Sequence, residues 1–230
     1  MKPLLRLSAL ALLAATGCLS RPAIVSQSFS IDPPAPQSTG SQGGVVLALA
    51  RVEVAPPYSG MSFVYRTGEH GLGRDPYARF AAPPAWLLTA AIRGYLMNAD
   101  FVRDVVAPGA GTGSQATIEV SVSKLEGELG PTGSAAVLML RFRVFADRDS
   151  ARGPSEILLK TYSKTMPIPR STARDVVNGW HQGLAEIMAE FQTDLRGFLA
   201  AAGVLVSRGG FADTRPGPSF DVEGYGRELR

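Results

Sequence analysis

The chain has 230 residues, with 23 Lys and Arg against 20 Asp and Glu, two His and one Cys. One cysteine excludes an intramolecular disulfide, and two scattered His beside it make no zinc set. No Lys/Arg stripe interleaved with aromatics is present, so nucleic acid is not an indicated partner.

Residues 1–17 read as a signal peptide. Lys2 and Arg6 give a positive start, and Leu7 to Ala15 is an apolar run too short to span a bilayer. Ala15-Thr16-Gly17-Cys18 resembles a bacterial lipobox. There the Cys thiol takes a diacylglycerol, the signal is cut before it, and the new amine is acylated, palmitate being the expected chain. A plain secretory signal needs small residues before its cut but no cysteine after it. Cys18 is therefore expected to be a lipidation site, with acyl burial contributing about 0.8 kcal/mol per CH₂. Without Lys2 and Arg6 the mature chain has 21 basic against 20 acidic residues, a charge of about +1. No later segment reaches 18 uninterrupted apolar residues, so no transmembrane helix is expected.

Residues 18–44 are rich in Ser, Gln, Pro and Gly and read as a lipidated flexible tether, interrupted by a short strand at Phe29 and Ile31. A link of that length has an r.m.s. span of roughly 25–30 Å. The folded domain is expected over 45–205. Val46 to Val54 is β-rich and ends at Pro56-Pro57, and "MSFVYRTG" is a second strand. The Gly- and charge-rich stretch 68–76 reads as a loop. Pro83-Pro84 opens a helix through "AWLLTAAIRGYLMN", and "FVRDVVA" is a short strand. "ATIEVSVSKLEGEL" and "AAVLMLRFRVFAD" alternate apolar and polar, as does "SEILLKTYSKTMPIP" less cleanly, so three hairpin-linked strands are predicted. From Thr172, paired with Asp175 in a capping-box-like start, Val176, Trp180, Leu184, Ile187, Met188, Phe191, Leu195 and Phe198 recur at helical spacing. Gly203 can end that helix. Residues 206–230 are expected to be a disordered tail. The order predicts an α+β fold, with two helices packed on one face of a mainly antiparallel sheet.

Catalytic chemistry is sparse. No G-x-S-x-G or H-E-x-x-H is present. Glu69, His70 and Asp75 could form an acid–base set, although a solvated loop His is the simpler account, and His181 is expected on the surface. "GAGTGS" lacks the Lys-Ser/Thr of a phosphate loop. Glu126 and Glu128, two apart on a strand, read as a solvated face. Tyr58, Phe63, Tyr65, Tyr77, Phe80 and Trp86 cluster with Arg66, Arg74 and Arg79. Aromatics mixed with arginines suit a binding surface for protein or lipid headgroups, with Tyr65, Arg66 and Tyr77 the stronger interface candidates. For Phe63, Phe80 and Trp86 core packing is the competing account.

A lipobox, "FSIDP" at Phe29 to Pro33, the strand end Val52 to Tyr58, the strand Phe63 to Arg66, and Tyr77 to Phe80 ahead of an amphipathic helix together resemble the ABC-type transport auxiliary lipoprotein family. That family includes the paraquat-inducible envelope lipoprotein. Phe80 stands where the family often has Trp, and "PPYSGM" carries an extra Pro. The resemblance implies a non-enzymatic, lipid-anchored accessory subunit of an MCE-type (mammalian cell entry) ABC lipid transport system in the Gram-negative envelope. Its implied partners are an MCE-domain protein and the ABC permease and ATPase. Some family members are homo-oligomers, so self-association is a further expectation. No cofactor or metal is implied beyond the covalent lipid, and Tyr65, Arg66, Tyr77 and Phe80 are the interface set. Leu19 after Cys18 is not the Asp that retains lipoproteins at the inner membrane, which places the protein at the outer membrane, on its periplasmic face. The alternative is a stand-alone periplasmic lipid-binding lipoprotein.

Overall fold

Two long antiparallel hairpins organise the fold. In the computed structural model, which describes residues 26–32, 34, 44–110, 113–130, 133–146 and 153–205, β7 (Ala116–Gly130), β8 (Gly133–Ala146) and β9 (Ser155–Ile168) form the expected meander. The alternation in β8 explains its packing. Leu138, Leu140, Phe142 and Val144 are all buried, while Arg141 and Arg143 between them are exposed.

The other edge of β7 is filled in steps. β2 (Val45–Leu49), β3 (Glu53–Val54) and β4 (Ser62–Thr67) lie on it in turn, all parallel to it, at Leu47↔Ala116, Glu53↔Ser121 and Tyr65↔Gly127. They act as one kinked strand. A 3₁₀ turn at Pro56–Tyr58 takes up surplus chain between β3 and β4. Beyond β2 lies β6 (Val102–Val106), parallel to it. Beyond β4 lies β5 (Gly71–Phe80), antiparallel, and at the margin β1 (Gln27–Phe29), parallel to β5.

Two expectations are corrected here. The fold is α+β, but its nine-stranded sheet is mixed rather than mainly antiparallel. Period-2 alternation is the same in parallel and antiparallel strands, so it carries no direction. The loop expected at 68–76 is largely strand β5, after a turn with Gly68 at φ +81°. Its glycines and charges suit a strand that is half exposed. Asp75 Oδ1 accepts the N–H groups of Tyr77 (2.7 Å) and Ala78 (2.9 Å), where β5 is irregular.

Part of the stretch expected as a tether over 18–44 is folded, at the short strand expected there. β1 pairs with β5 through Gln27↔Ala78, and Ile31 is 2% exposed within the core. Between Cys18 and Gln27 lie only residues 19–26.

Helix α1 (Pro84–Met97) starts on two prolines, which fit where no intrahelical N–H partner is needed. It buries Leu88, Ala91, Ile92 and Leu96. Helix α2 (Ala173–Ala201) starts where Thr172 Oγ1 accepts the Asp175 N–H (3.2 Å). It ends at Gly203, φ +66°, whose N–H reaches the Ala200 carbonyl (2.9 Å). The expected stripe is buried through Leu195, after which Leu199 rather than Phe198 turns inward. The two helices meet where Gln192 Nε2 donates to the Tyr95 carbonyl (2.7 Å). No described helix is long and apolar enough to cross a membrane.

Glycine sets how closely α2 approaches the sheet. A Cβ on Gly179 would lie 2.6 Å from the Ala136 Cβ and 3.1 Å from the Ile168 Cγ2. Gly179→Val should force the helix outward and cost about 1–3 kcal/mol, read as a lower urea midpoint. An unchanged midpoint would show that the helix shifts freely.

Candidate functional site

Two of the motifs that carry the family resemblance, ending at Tyr58 and Arg66, converge on one carboxylate. Glu126 projects from β7 just beyond the irregularity between Val122 and Lys124, and its side chain is fully buried. Arg66 from β4 grips it in bidentate fashion, Nε to Oε1 at 2.9 Å and Nη2 to Oε2 at 2.8 Å. The Tyr58 hydroxyl, from the 3₁₀ turn, donates to Oε2 at 2.6 Å. Lys124 Nζ stands 3.9 Å from Oε1. Trp180 on α2 donates its indole N–H to the Glu126 backbone carbonyl (3.2 Å). Residue 126 thus ties together the turn, β4, β7 and α2.

The solvated face expected for Glu126 is therefore corrected, while Glu128 remains partly open, 3.9 Å from Arg66. A buried carboxylate is stable only when paired and hydrogen-bonded, and this one is both. Its oxygens are occupied and closed to solvent, so the cluster is built to hold shape rather than to move protons. Burial, and then the hydrogen bond to Glu126, push the Tyr58 pKa up to about 12. Burial raises Tyr65 and Tyr162 as well, each assisted by a carboxylate partner, Asp75 and Asp194 respectively.

The pH consequence follows from linkage. Each tyrosine is held protonated in the folded state, so its contribution is intact below the unfolded value near 10. It is lost as pH rises through the folded value. Stability should decline between pH 10 and about 12, and Tyr58→Phe should make that decline shallower. Urea midpoints against pH read the slope, and an identical slope in the variant would remove Tyr58 as a contributor.

The four expected interface residues do not form one exposed patch. Tyr65 is half-buried, its ring against Gly127, where a Cβ would lie 2.7 Å from the ring. Arg66 is committed to Glu126. Phe80, 2% exposed, is a core residue, with centroids 4.6 Å from Phe63 and 5.6 Å from Trp180. That burial takes Phe80 out of reach of a partner. Tyr77 alone of the four is largely exposed, at 57%. Trp86, for which a core role was one account, is instead exposed, with the Arg51 guanidinium 5.6 Å from its ring.

Glu69, His70 and Asp75 are not assembled for catalysis. The first two sit exposed at the β4–β5 turn, 3.9 Å apart, and Asp75 is occupied by backbone N–H groups. His181, expected on the surface, is half-buried, and its Nε2 is enclosed without a hydrogen-bond partner. Among the described residues no group of three or more His, Cys, Asp and Glu could hold a metal. A cleft of about 270 Å³ is lined by Arg51, Glu53, Glu119, Ser121, Arg141 and Arg143. Its walls carry charges of both signs, with Ala50 and Val120 as the apolar members. Cys18 lies outside the described residues.

A kinked parallel strand pinned by a buried carboxylate, beside an antiparallel meander under a long helix, defines an α+β domain with no assembled catalytic centre among the described residues. Solved structures share the fold. A Xanthomonas campestris protein of the DUF330 family aligns at 15% identity and TM-score 0.61, covering 79% of this chain and 98% of its own. An uncharacterized protein aligns at 15% identity and TM-score 0.59, covering 74% and 99%. A hypothetical protein from Chlamydia trachomatis gives 10% identity and TM-score 0.51, covering 69% and 99%. Among curated proteins, no sequence matches this chain. Residues 29–191 match the family described as ABC-type transport auxiliary lipoprotein component, and the chain belongs to that family.

Proposed function

We propose that this protein is a non-enzymatic, lipid-anchored accessory subunit of an MCE-type ABC lipid transport system, held by Cys18 at the periplasmic face of the outer membrane. The observation that carries this reading is the family match over residues 29–191. The lipobox-like Ala15-Thr16-Gly17-Cys18 and the non-Asp Leu19 support the anchor and its membrane. The anchor reaches little distance by itself. Eight residues between Cys18 and Gln27 give an r.m.s. span of about 15 Å, and about 30 Å at full stretch. A domain held so close to one membrane needs a partner that spans the periplasm, which is the part an MCE-domain assembly would supply. The charged cleft argues against the alternative of a stand-alone carrier holding acyl chains in that groove.

The test is a mild-detergent pull-down of the tagged full-length protein from native membranes, with mass spectrometry of what is retained. Recovery of an MCE-domain protein or its ABC permease is expected. Recovery of phospholipid with no transporter would favour the stand-alone lipid binder. Cys18→Ala should leave the protein folded but released from membranes and inactive in envelope function. Full activity of that variant would sink the anchor.

A further inference from the structure

The face of the sheet turned away from α2 holds a gap lined by charges of both signs. In β8, Phe142 faces the helix, stacked on Phe191 at 3.9 Å, so its neighbours Arg141 and Arg143 lie on the opposite face. Directly opposed residues share a face. Ser121 and Glu119 of β7 therefore stand beside Arg141 and Arg143, and Glu53 of β3 stands beside Ser121. Glu53 and Arg141 flank the short side chain of Ser121, with their backbones two strand spacings or roughly 10 Å apart. Together with Arg51, from the kink between β2 and β3, these residues line the cleft of about 270 Å³.

The walls of the cleft are fixed by contacts outside it. The kink is fastened by the Ala50 N–H to the Ile118 carbonyl (2.9 Å), the Val52 N–H to Thr89 Oγ1 on α1 (3.1 Å) and the Ala55 N–H to the Val122 carbonyl (2.9 Å). On the β8 side each arginine is held through its Nε, Arg141 by Thr161 Oγ1 at 3.3 Å and Arg143 by Glu156 Oε2 at 3.0 Å. Among the described residues no hydrogen bond engages their Nη groups. The Arg51 guanidinium stands 5.6 Å from the Trp86 ring. Glu53 and Glu119 are exposed, and their carboxylates have no ion pair or hydrogen bond among the described residues. That holds even though Arg143 is the cross-strand neighbour of Glu119. Opposite charges thus share one cleft without neutralising each other by direct contact.

This arrangement selects against ligands of a single sign. An anion alone would face two carboxylates, and a cation alone would face three guanidinium groups. A ligand carrying both signs meets both. The volume lies below the roughly 300–1,000 Å³ of pockets for drug-sized ligands, which limits the occupant to a small polar group. No aromatic side chain lines the cleft to cage a quaternary ammonium, whereas carboxylates accept the N–H donors of a primary one. The fork of an arginine matches the oxygens of phosphate or carboxylate. We propose that the cleft is a binding site for a small zwitterion, a primary ammonium and a phosphate or carboxylate a few bonds apart, with Glu53 and Glu119 taking the ammonium and Arg141 and Arg143 the oxyanion. The ethanolamine-phosphate headgroup of a phospholipid and a free amino acid both carry that chemistry. The site requires neither a lipid on Cys18 nor a transporter.

The test is calorimetric titration of the full chain in a non-ionic detergent. The probes are glycerophosphoethanolamine, serine, glycerophosphocholine, glycerophosphoglycerol and ethanolamine. Saturable binding of glycerophosphoethanolamine or serine is expected. Glycerophosphoglycerol and ethanolamine should each bind about tenfold or more weakly than the better zwitterion, because each leaves one set of charges unmet. Glycerophosphocholine should also be weaker, since it offers the carboxylates no N–H. Tighter binding of glycerophosphoethanolamine identifies a lipid headgroup as the ligand, and tighter binding of serine identifies a free amino acid. Glu53→Gln with Glu119→Gln should bring glycerophosphoethanolamine down to the level of glycerophosphoglycerol. Arg141→Gln with Arg143→Gln should weaken both phosphate compounds. All four side chains are exposed, so wild-type urea midpoints are expected. Absence of saturable binding by either zwitterion, or equal binding of glycerophosphoethanolamine and glycerophosphoglycerol by the unaltered protein, overturns the site. A preference that survives both glutamine substitutions at Glu53 and Glu119 overturns its placement in this cleft. Either failure leaves the accessory-subunit reading standing, and a pull-down without a transporter leaves this site standing.

Discussion

Arg66→Ala should destabilise the protein by about 3–5 kcal/mol, the range for removing one partner of a buried ion pair. The substitution deletes both charge-assisted hydrogen bonds to a fully buried Glu126 and leaves the carboxylate with Tyr58 as its close partner. Against a total of about 5–15 kcal/mol for a typical domain, such a loss is large. The competing outcome is a rescue by Lys124, whose Nζ is already 3.9 Å away. A loss below about 1 kcal/mol, comparable with exposed pairs, would mean that Lys124 or water had taken over. The combined change Arg66→Met, Glu126→Leu and Tyr58→Phe separates charge from shape. It removes the buried carboxylate together with its two close side-chain partners and should recover most of the loss, because a buried pair replaced by packed apolar groups is often neutral. Urea midpoints at constant slope read all of these.

Trp180→Ala is expected to cost about as much, roughly 3–5 kcal/mol, by a different route. The indole is 1% exposed, with its centroid 5.0 Å from Phe63 and 5.6 Å from Phe80. Truncation leaves a cavity between α2 and the β4–β5 pair, which backbone pairing prevents from collapsing. Trp180→Phe keeps an aromatic ring but loses the indole donor to the Glu126 carbonyl. It should cost less, about one hydrogen bond or 0.5–1.5 kcal/mol beyond the smaller volume. If both variants unfolded at the wild-type midpoint, the aromatic cluster would not be what fastens α2 to this part of the sheet. The second aromatic cluster, Phe142 stacked on Phe191 at 3.9 Å with Tyr162 beside them, would then hold the helix by itself.

The legible elements were those whose signal repeats along the chain. The β7–β9 meander and the stripe of α2 each hold their period over many residues, and their faces are buried as that period requires. Strand β5 reads as a loop by composition, because Gly71, Gly73 and Asp75 are turn residues, and the pairing with β4 overrides that composition. The site was less legible. Arg66 and Tyr58 both fall within motifs, yet nothing in their spacing points to Glu126, which is 60 and 68 residues away respectively. Tyr77 and Phe80 lie three apart on one strand, so alternation puts them on opposite faces, one exposed and one in the core.

Local chemistry settled the sequence-level features: a charged, apolar, small-residue approach to Cys18, the helix start at Thr172 and its stop at Gly203, and the alternating strands. Each depends on residues within a few positions of one another, so periodicity and capping suffice to read it. Tertiary structure alone decided that β2, β3 and β4 run parallel to β7, that Glu126 is enclosed, and that β1 joins the sheet edge through β5. These outcomes depend on which distant segments pair and what they cover. Pairing direction leaves no trace in a period-2 pattern, and a carboxylate's burial is set by the groups that close over it.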